Sequence, residues 1–222
     1  MIKKTLKLVL LIAGGLVLFF YFQFRPANEM TFGVNFSIPH AQYLGFDWKQ
    51  MYSAILDQLE PKFIRTMAYW ELVEPEKDKF KFADIDYLLR EAEKRGVKVI
   101  LVIGLKQPRW PECHEPAWAQ KLALSEVEGL KIKNEKLLNY IQETVFRYRD
   151  NGTVYAWQVE NEPFFPYGPE CGRVARRVFK QEIALVRSLD DSRPIVVTDS
   201  GEKGDWILTA LAGGDIFGST MY

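Results

Sequence analysis

Apolar residues recur along the chain in two rhythms. Short runs rich in β-branched and aromatic residues, at 31–36, 63–67, 97–103, 154–159, 194–198 and 215–219, read as strands. Between them lie segments with apolar positions at helical spacing: 48–59, 82–95, 137–148, 173–189 and a short one at 205–211. The segment 82–95 is the clearest. Ile85, Leu88, Leu89 and Ala92 share one face, Asp84, Asp86, Glu91 and Glu93 lie largely off it, and Gly96 stops it. The run 97–103 is almost unbrokenly apolar, as expected of a parallel strand covered on both faces. Residues 105–136 break both rhythms and read as an elaborated loop with a short helix inside it, while 150–152 and 190–193 read as turns.

Strand and helix therefore alternate through six strands, with compact turns after the helices and long, aromatic loops after the strands. This is the βα pattern of a parallel α/β protein, shared by doubly wound sheets and (β/α)8 barrels. A doubly wound sheet usually carries a glycine-rich phosphate loop after its first strand, and Asn35-Phe36-Ser37-Ile38-Pro39 offers none. A barrel places function at the C-terminal ends of its strands, where Asn35, Arg65, Asn161 and Glu162 fall. The expected fold is an incomplete (β/α)8 barrel of about six βα units over residues 31–222.

The N-terminus is a separate element. Lys3, Lys4 and Lys7 in a basic segment 1–7 precede an uncharged run at 8–24, closed by Arg25-Pro26 and a short linker at 25–30. That run is at the short end of a membrane-spanning helix. A cleaved signal peptide competes with this reading, but Tyr21-Phe22-Gln23-Phe24 stands where a small-residue cleavage site should follow. An uncleaved signal anchor is expected, with the lysines and N-terminus in the cytoplasm and the domain outside, attached to the membrane.

Composition narrows the classes further. Of 222 residues 48% are hydrophobic and 14% aromatic, which suits one sizeable core rather than disorder. Lys plus Arg and Asp plus Glu are equal at 29 each, so nothing in the charge favours nucleic acid. His40 and His114 lie far apart, and neither a metal site nor a cofactor is expected. Cys113 and Cys171 sit in loop-like Pro-Glu-Cys stretches after predicted strands, where an oxidising compartment would let them pair; two unpaired thiols are the alternative.

The candidate chemistry centres on Trp157-Gln158-Val159-Glu160-Asn161-Glu162-Pro163. A strand ending on an amide beside a carboxylate can hold that carboxylate rigidly, and apolar neighbours can raise its pKa for acid/base work. A surface carboxylate paired with a lysine is the plainer reading of the same residues. Of Glu160 and Glu162, which alternate across Asn161, one is expected to face a site and the other a salt bridge. Trp70, Trp110, Trp118 and Trp157 could stack on sugar rings or fill the core, and for Trp157, inside a strand, the core is the better fit.

Phe63-Ile64-Arg65, Trp70-Glu71-Leu72-Val73-Glu74-Pro75, 80–86 and Asn161-Glu162-Pro163 together resemble the retaining glycoside hydrolases of clan A, in particular cellulase-like and β-galactosidase-like members. The resemblance implies that Glu162 is the general acid/base and that Asn161 binds the hydroxyl next to the anomeric carbon. It also implies that Arg65 helps keep a neighbouring carboxylate ionised and that Tyr222 matches a tyrosine ending the sixth strand. Asn35, Trp70, Trp110 and Tyr222 are the expected contacts to an oligo- or polysaccharide substrate. In that clan the nucleophile is a second glutamate at the end of a seventh strand, about 5 Å from the first carboxylate. This chain stops at the sixth predicted strand and offers only Glu202 nearby, so the expectation is a fragment of a longer protein with little hydrolysis of its own. A membrane-anchored glycan-binding protein without turnover is the competing expectation.

Overall fold

A computed structural model of the chain describes residues 2–23, 30–123, 126–166 and 171–220. It divides into two compact units, 1–31 and 32–222. The first unit is a single helix, α1 (Ile2–Gln23). The segment expected as an anchor, 8–24, is thus helical as far as Gln23, whereas residues 24–29, including most of the expected linker, lie outside the described residues. Among the described residues no helix is long and apolar enough to cross a membrane, so the structure does not support the expected span.

The second unit begins with β1 (Gly33–Phe36), α2 (Ile38–Tyr43), α3 (Trp48–Leu59) and β2 (Phe63–Met67). It continues with α4 (Trp70–Val73), α5 (Ala83–Lys94), β3 (Lys98–Ile103), α6 (Ala117–Ala123) and α7 (Glu126–Tyr148). β4 (Val154–Val159), α8 (Arg176–Leu189), β5 (Ile195–Ser200), α9 (Trp206–Ala210) and β6 (Ile216–Thr220) complete the described chain. The six strands form one sheet in the order β1-β2-β3-β4-β5-β6, and every neighbouring pair is parallel. A doubly wound sheet must reverse its order at a switch point; here every crossover steps the same way, so the sheet curls as part of a barrel.

Local chemistry explains the elements. Asp47 caps α3 by accepting the backbone N–H groups of Lys49 and Gln50 at 2.9 and 3.0 Å. α5 buries the face expected of it, Ile85, Leu88, Leu89 and Ala92, and ends before Gly96 at φ 66°. Glu91 departs from expectation: it too is buried, held by Lys94 and Arg95, and Arg95 reaches on to Asp57 of α3. Residues 105–136 are also more regular than their pattern suggests, because α7 starts at Glu126 and leaves less of the stretch to loop. The helices α2 and α4, of six and four residues, are too short to show a period in the sequence.

The main core lies between the sheet and the helices, with α5 against β3, α8 against β4 and α9 against β5. Phe179, Ile183 and Val186 give α8 its buried stripe, each contributing roughly 1.5–3 kcal/mol. On the other side of the sheet the residues alternate with this core and are more polar: Arg65, Gln158 and Thr198 stand where a curled sheet turns its concave face. Met67, Tyr69 and Val102 form a small separate apolar cluster.

Candidate active site

The concave face opens into a cavity of about 600 Å3 whose walls include Asn35, Arg65, Gln158, Asn161, Thr198 and Thr220. Register explains why these residues meet. Asn35 pairs with Arg65 across β1 and β2, Gln158 with Val196 across β4 and β5, and Thr198 with Gly218 across β5 and β6. Arg65 is the hub. Its Nε donates to Gln158 Oε1 at 2.7 Å and its Nη2 to Asn161 Oδ1 at 2.8 Å. Gln158 Nε2 and the backbone N–H of Glu162 both donate to Thr198 Oγ1, each at 3.2 Å. Because the arginine takes the oxygen end of the Asn161 amide, the Nδ2 donors are the end left for a ligand hydroxyl.

Glu162 follows directly. It is buried, its backbone sits at φ 47°, and Thr220 Oγ1 donates to its Oε1 at 2.5 Å. Thr220 lines the cavity, so Glu162 is tied through this hydroxyl to a residue of the cavity wall, although it is not itself among the lining residues. Glu160 has the same left-handed backbone, φ 59°. Two non-glycine residues at positive φ around one asparagine cost energy that the surrounding contacts must offset, a pattern that concentrates at functional sites.

The two glutamates part company in their side chains. Among the described residues Glu160 has no partner for the salt bridge expected of the carboxylate turned away from the site. Its Oε1 accepts Leu105 N–H at 2.7 Å and its Oε2 accepts Lys106 N–H at 2.5 Å, which latches the loop after β3. Burial pushes the Glu160 carboxyl up to about 7, against the pull of those two N–H groups. Glu182 of α8 is buried beside it, and burial together with the charge of Glu160 holds its carboxyl well above the ordinary range. A Cβ on Gly104, at φ 114°, would come within 2.5 Å of Glu160 Oε1, so this latch needs glycine.

The latched loop forms one wall of the site. Asn161 N–H donates to the Lys106 carbonyl at 2.7 Å, and Lys106 Nζ, deep in the protein, donates to the Phe165 carbonyl. Burial lowers the Lys106 pKa, opposed mainly by Glu160. A Cys113–Cys171 disulfide, with Cα atoms 5.3 Å apart, joins this loop to the one after β4. The loop contributes Arg109, Trp110 and Glu112 to the cavity, and Trp110 is 70% exposed. Burial raises the Glu112 carboxyl. Among the described residues no group of His, Cys, Asp and Glu is placed to hold a metal ion.

The residues anticipated from the sequence separate clearly. Arg65, Asn161 and Glu162 are brought together, and Asn35 and Trp110 line the same cavity. Trp70 corrects the expectation of sugar contact: it is fully buried, donates from Nε1 to Glu74 Oε2 at 2.8 Å, and packs against Tyr140 and Trp118. Trp157 is buried and donates to Asp190 Oδ2 at 2.8 Å, as suits a core residue. Glu202 is exposed on the turn after β5 and is not part of the cavity wall. Tyr222 lies outside the described residues. Gln158, Thr198, Thr220 and Glu112 went unnoticed in the sequence. Gln158 and Thr198 had a signal, a polar side chain inside an otherwise apolar strand; Glu112 had none.

Known proteins share this architecture. The endo-β-1,4-xylanase of glycoside hydrolase family 10 from Gloeophyllum trabeum superposes with a TM-score of 0.62 at 18% identity, over 88% of this chain and 63% of that one. A GH5_18 protein from Streptomyces cattleya, solved in complex with GlcNAc, superposes with a TM-score of 0.58 at 16% identity, over 78% of this chain and 45% of that one. In sequence, "Probable mannan endo-1,4-beta-mannosidase F" of Aspergillus flavus is 28% identical over 125 residues, 53% of this chain. The match covers 25% of that relative's length. The profile of glycosyl hydrolase family 10 matches residues 46–184, more than half of the chain and the stretch that carries Arg65, Asn161 and Glu162, and the chain belongs to that family.

Proposed function

We propose that this domain cleaves β-linked glycans by a retaining mechanism, with Glu162 as general acid/base. The observation that carries this reading is the network that sets Arg65, Asn161 and the Glu162 backbone together at the strand ends beside the cavity. In the first step Glu162 gives its proton to the leaving glycosidic oxygen, and in the second it takes one from the attacking water. The Thr220 hydroxyl donates to Oε1 and fixes that side of the carboxyl group. Asn161 Nδ2 holds the hydroxyl next to the anomeric carbon, a contact that strengthens as positive charge develops on the ring. Trp110 offers an exposed ring to a sugar face.

Two carboxyl groups are needed about 5 Å apart in a retaining site. Among the described residues lining the cavity, Glu112 is the carboxylate, and it comes from the loop after β3 rather than from a seventh strand. We therefore assign the nucleophile to a position that the described residues do not supply. Without a second carboxyl group at that spacing, little hydrolysis is expected.

An external nucleophile tests the acid/base separately. With azide in place of the second carboxylate, the chain should release the aryl alcohol from aryl β-glycosides with poor leaving groups and yield a glycosyl azide, and Glu162→Gln should abolish this. Equal rates for both proteins would exclude Glu162 as the acid. Binding of β-linked oligosaccharides with no azide-dependent turnover would favour a glycan-binding role, which the exposed Trp110 also suits.

A further inference from the structure

The loop after β3 is held far more firmly than a surface connection needs. Its two sides meet at an antiparallel bridge between Lys106 and Cys113. Beside it Gln107 N–H donates to the Glu112 carbonyl at 2.8 Å, and His114 N–H donates to the Leu105 carbonyl at 3.0 Å. Buried His114 fastens the loop from within: its ring nitrogens lie 3.0 Å from the Arg109 carbonyl oxygen and 2.9 Å from Glu71 Oε1. Its ring packs on Tyr69 with centroids 4.1 Å apart, and the Tyr69 hydroxyl donates to the Pro108 carbonyl at 2.8 Å. The Cys113–Cys171 disulfide ties the same loop to the one after β4.

What this framework holds is costly. Arg109 at φ 90° and Glu112 at φ 69° both occupy backbone conformations that a Cβ disfavours, and both line the cavity. Their side chains are little used by the protein itself. Among the described residues no ion pair involves Arg109 or Glu112. Glu112 is half-buried, and its Oε2 is shut from bulk solvent with no hydrogen-bond partner among the described residues. An enclosed acceptor without a donor is expensive, which is why such groups are normally matched. Burial raises the Glu112 carboxyl, the charge of His114 opposes the rise, and the charge of Glu162 adds to it, so the two carboxyl groups are within electrostatic reach of each other.

A donor supplied by a ligand would complete this wall. Resting on the glycan-cleaving reading above, we propose that Glu112 is a substrate-binding residue, accepting a hydrogen bond from a hydroxyl of the sugar in this cavity and selecting glycans in which that hydroxyl is free. Its two carboxylate oxygens are equivalent and its terminal torsion is soft, so a small turn offers the unmatched acceptor to the cavity. Arg65 and Arg109 on the same wall oppose a cationic ligand, and a neutral hydroxyl suits the site better than an ammonium group.

Titration calorimetry on the intact chain tests this, first with the β-1,4-linked trisaccharides of mannose, xylose and glucose, then with the monodeoxy forms of whichever binds most tightly. One monodeoxy form should bind about tenfold more weakly than its parent sugar, the scale of a hydrogen bond to a charged group. Glu112→Ala should weaken the parent sugar by a similar factor yet bind that one deoxy form as the unaltered chain does, because both changes remove the same contact. Glu112→Gln, which keeps an acceptor of the same shape, should lose only part of the affinity and serves where the alanine variant fails to fold, as circular dichroism would reveal. A merely structural role would weaken the parent sugar and every deoxy form by one common factor. That result, or equal binding by the unaltered chain and both variants, would overturn the Glu112 assignment and leave the glycan reading standing. Binding of none of the three trisaccharides by the unaltered chain would overturn both.

Discussion

Glu160 and Glu162 leave β4 two residues apart, both at positive φ, and both are buried. The protein nevertheless turns them to opposite tasks. Glu162 is held through its side chain by Thr220, a residue of the cavity wall. Glu160 points under the loop after β3, accepts two backbone N–H groups and shares its surroundings with Glu182. The comparison teaches that burial of a carboxylate says little about its role. What differs is the partner: a rotatable hydroxyl beside an opening in one case, and fixed amides sealed by packing in the other.

The largest expected effect lies on the Glu162 side. Glu162→Gln should lower azide-supported cleavage by roughly 10²–10⁴-fold while shifting the urea midpoint little, because losing a positioned acid affects the reaction and not the fold. Gly104→Ala should do the reverse. Its Cβ would meet the Glu160 carboxylate at 2.5 Å on a backbone at φ 114°, and a loss of about 3 kcal/mol in unfolding free energy is expected from the clash and strain. Should the Gly104→Ala variant unfold at the same urea concentration as its parent, the latch would not be a rigid element.

A pH series sharpens the contrast at smaller scale. The folded-state pKa values of Glu160 and Glu182 are raised, so the folded protein binds more protons than the unfolded chain once pH exceeds the ordinary glutamate value of about 4.3. Their contribution is fully present below that value and is lost as pH rises through about 7 for Glu160 and well above the ordinary value for Glu182. Lys106 and Tyr140 face the same region; Lys106 opposes the rise, and burial keeps the Tyr140 phenol protonated throughout. Thermal midpoints should therefore fall between about pH 5 and about pH 8, with a slope set by the extra proton or protons the folded state holds. Glu182→Gln should flatten the fall, and a slope unchanged in that variant would contradict the pairing. The smallest effect is expected at Trp110→Ala, about fivefold weaker binding of neutral oligosaccharides with no change in stability, since the ring is 70% exposed and a single stacked contact is worth about 1 kcal/mol.

Much of this organisation could be read from residue order. Strand and helix periods follow from backbone geometry that each residue obeys locally, so the six strands, the face of α5 and the strand-end positions of Arg65, Asn161 and Glu162 were all accessible. Asn161-Glu162 stood out because a polar pair ended a buried apolar run. Trp70 was misread for the opposite reason: an indole has the same composition whether it stacks on sugar or on Tyr140, and only the surroundings distinguish the two. Lys106 and Glu182 drew no notice in the sequence, because only the folded chain brings them beside Glu160.

Residue order was thus sufficient for the alternation of elements and for parallel strands, which rest on short-range periodicity and on the right-handed connection of parallel strands, whereas the choice of the Asn161-Glu162 pair rested on the family resemblance and the curl of the sheet was fixed by the strand order. The assignment of Glu160 to the loop latch and Glu162 to the cavity edge arose elsewhere. At positive φ the strict alternation of a strand no longer applies, so the direction of each carboxyl was set by what three distant segments brought to it: the amides of 105–106, Glu182 and Thr220.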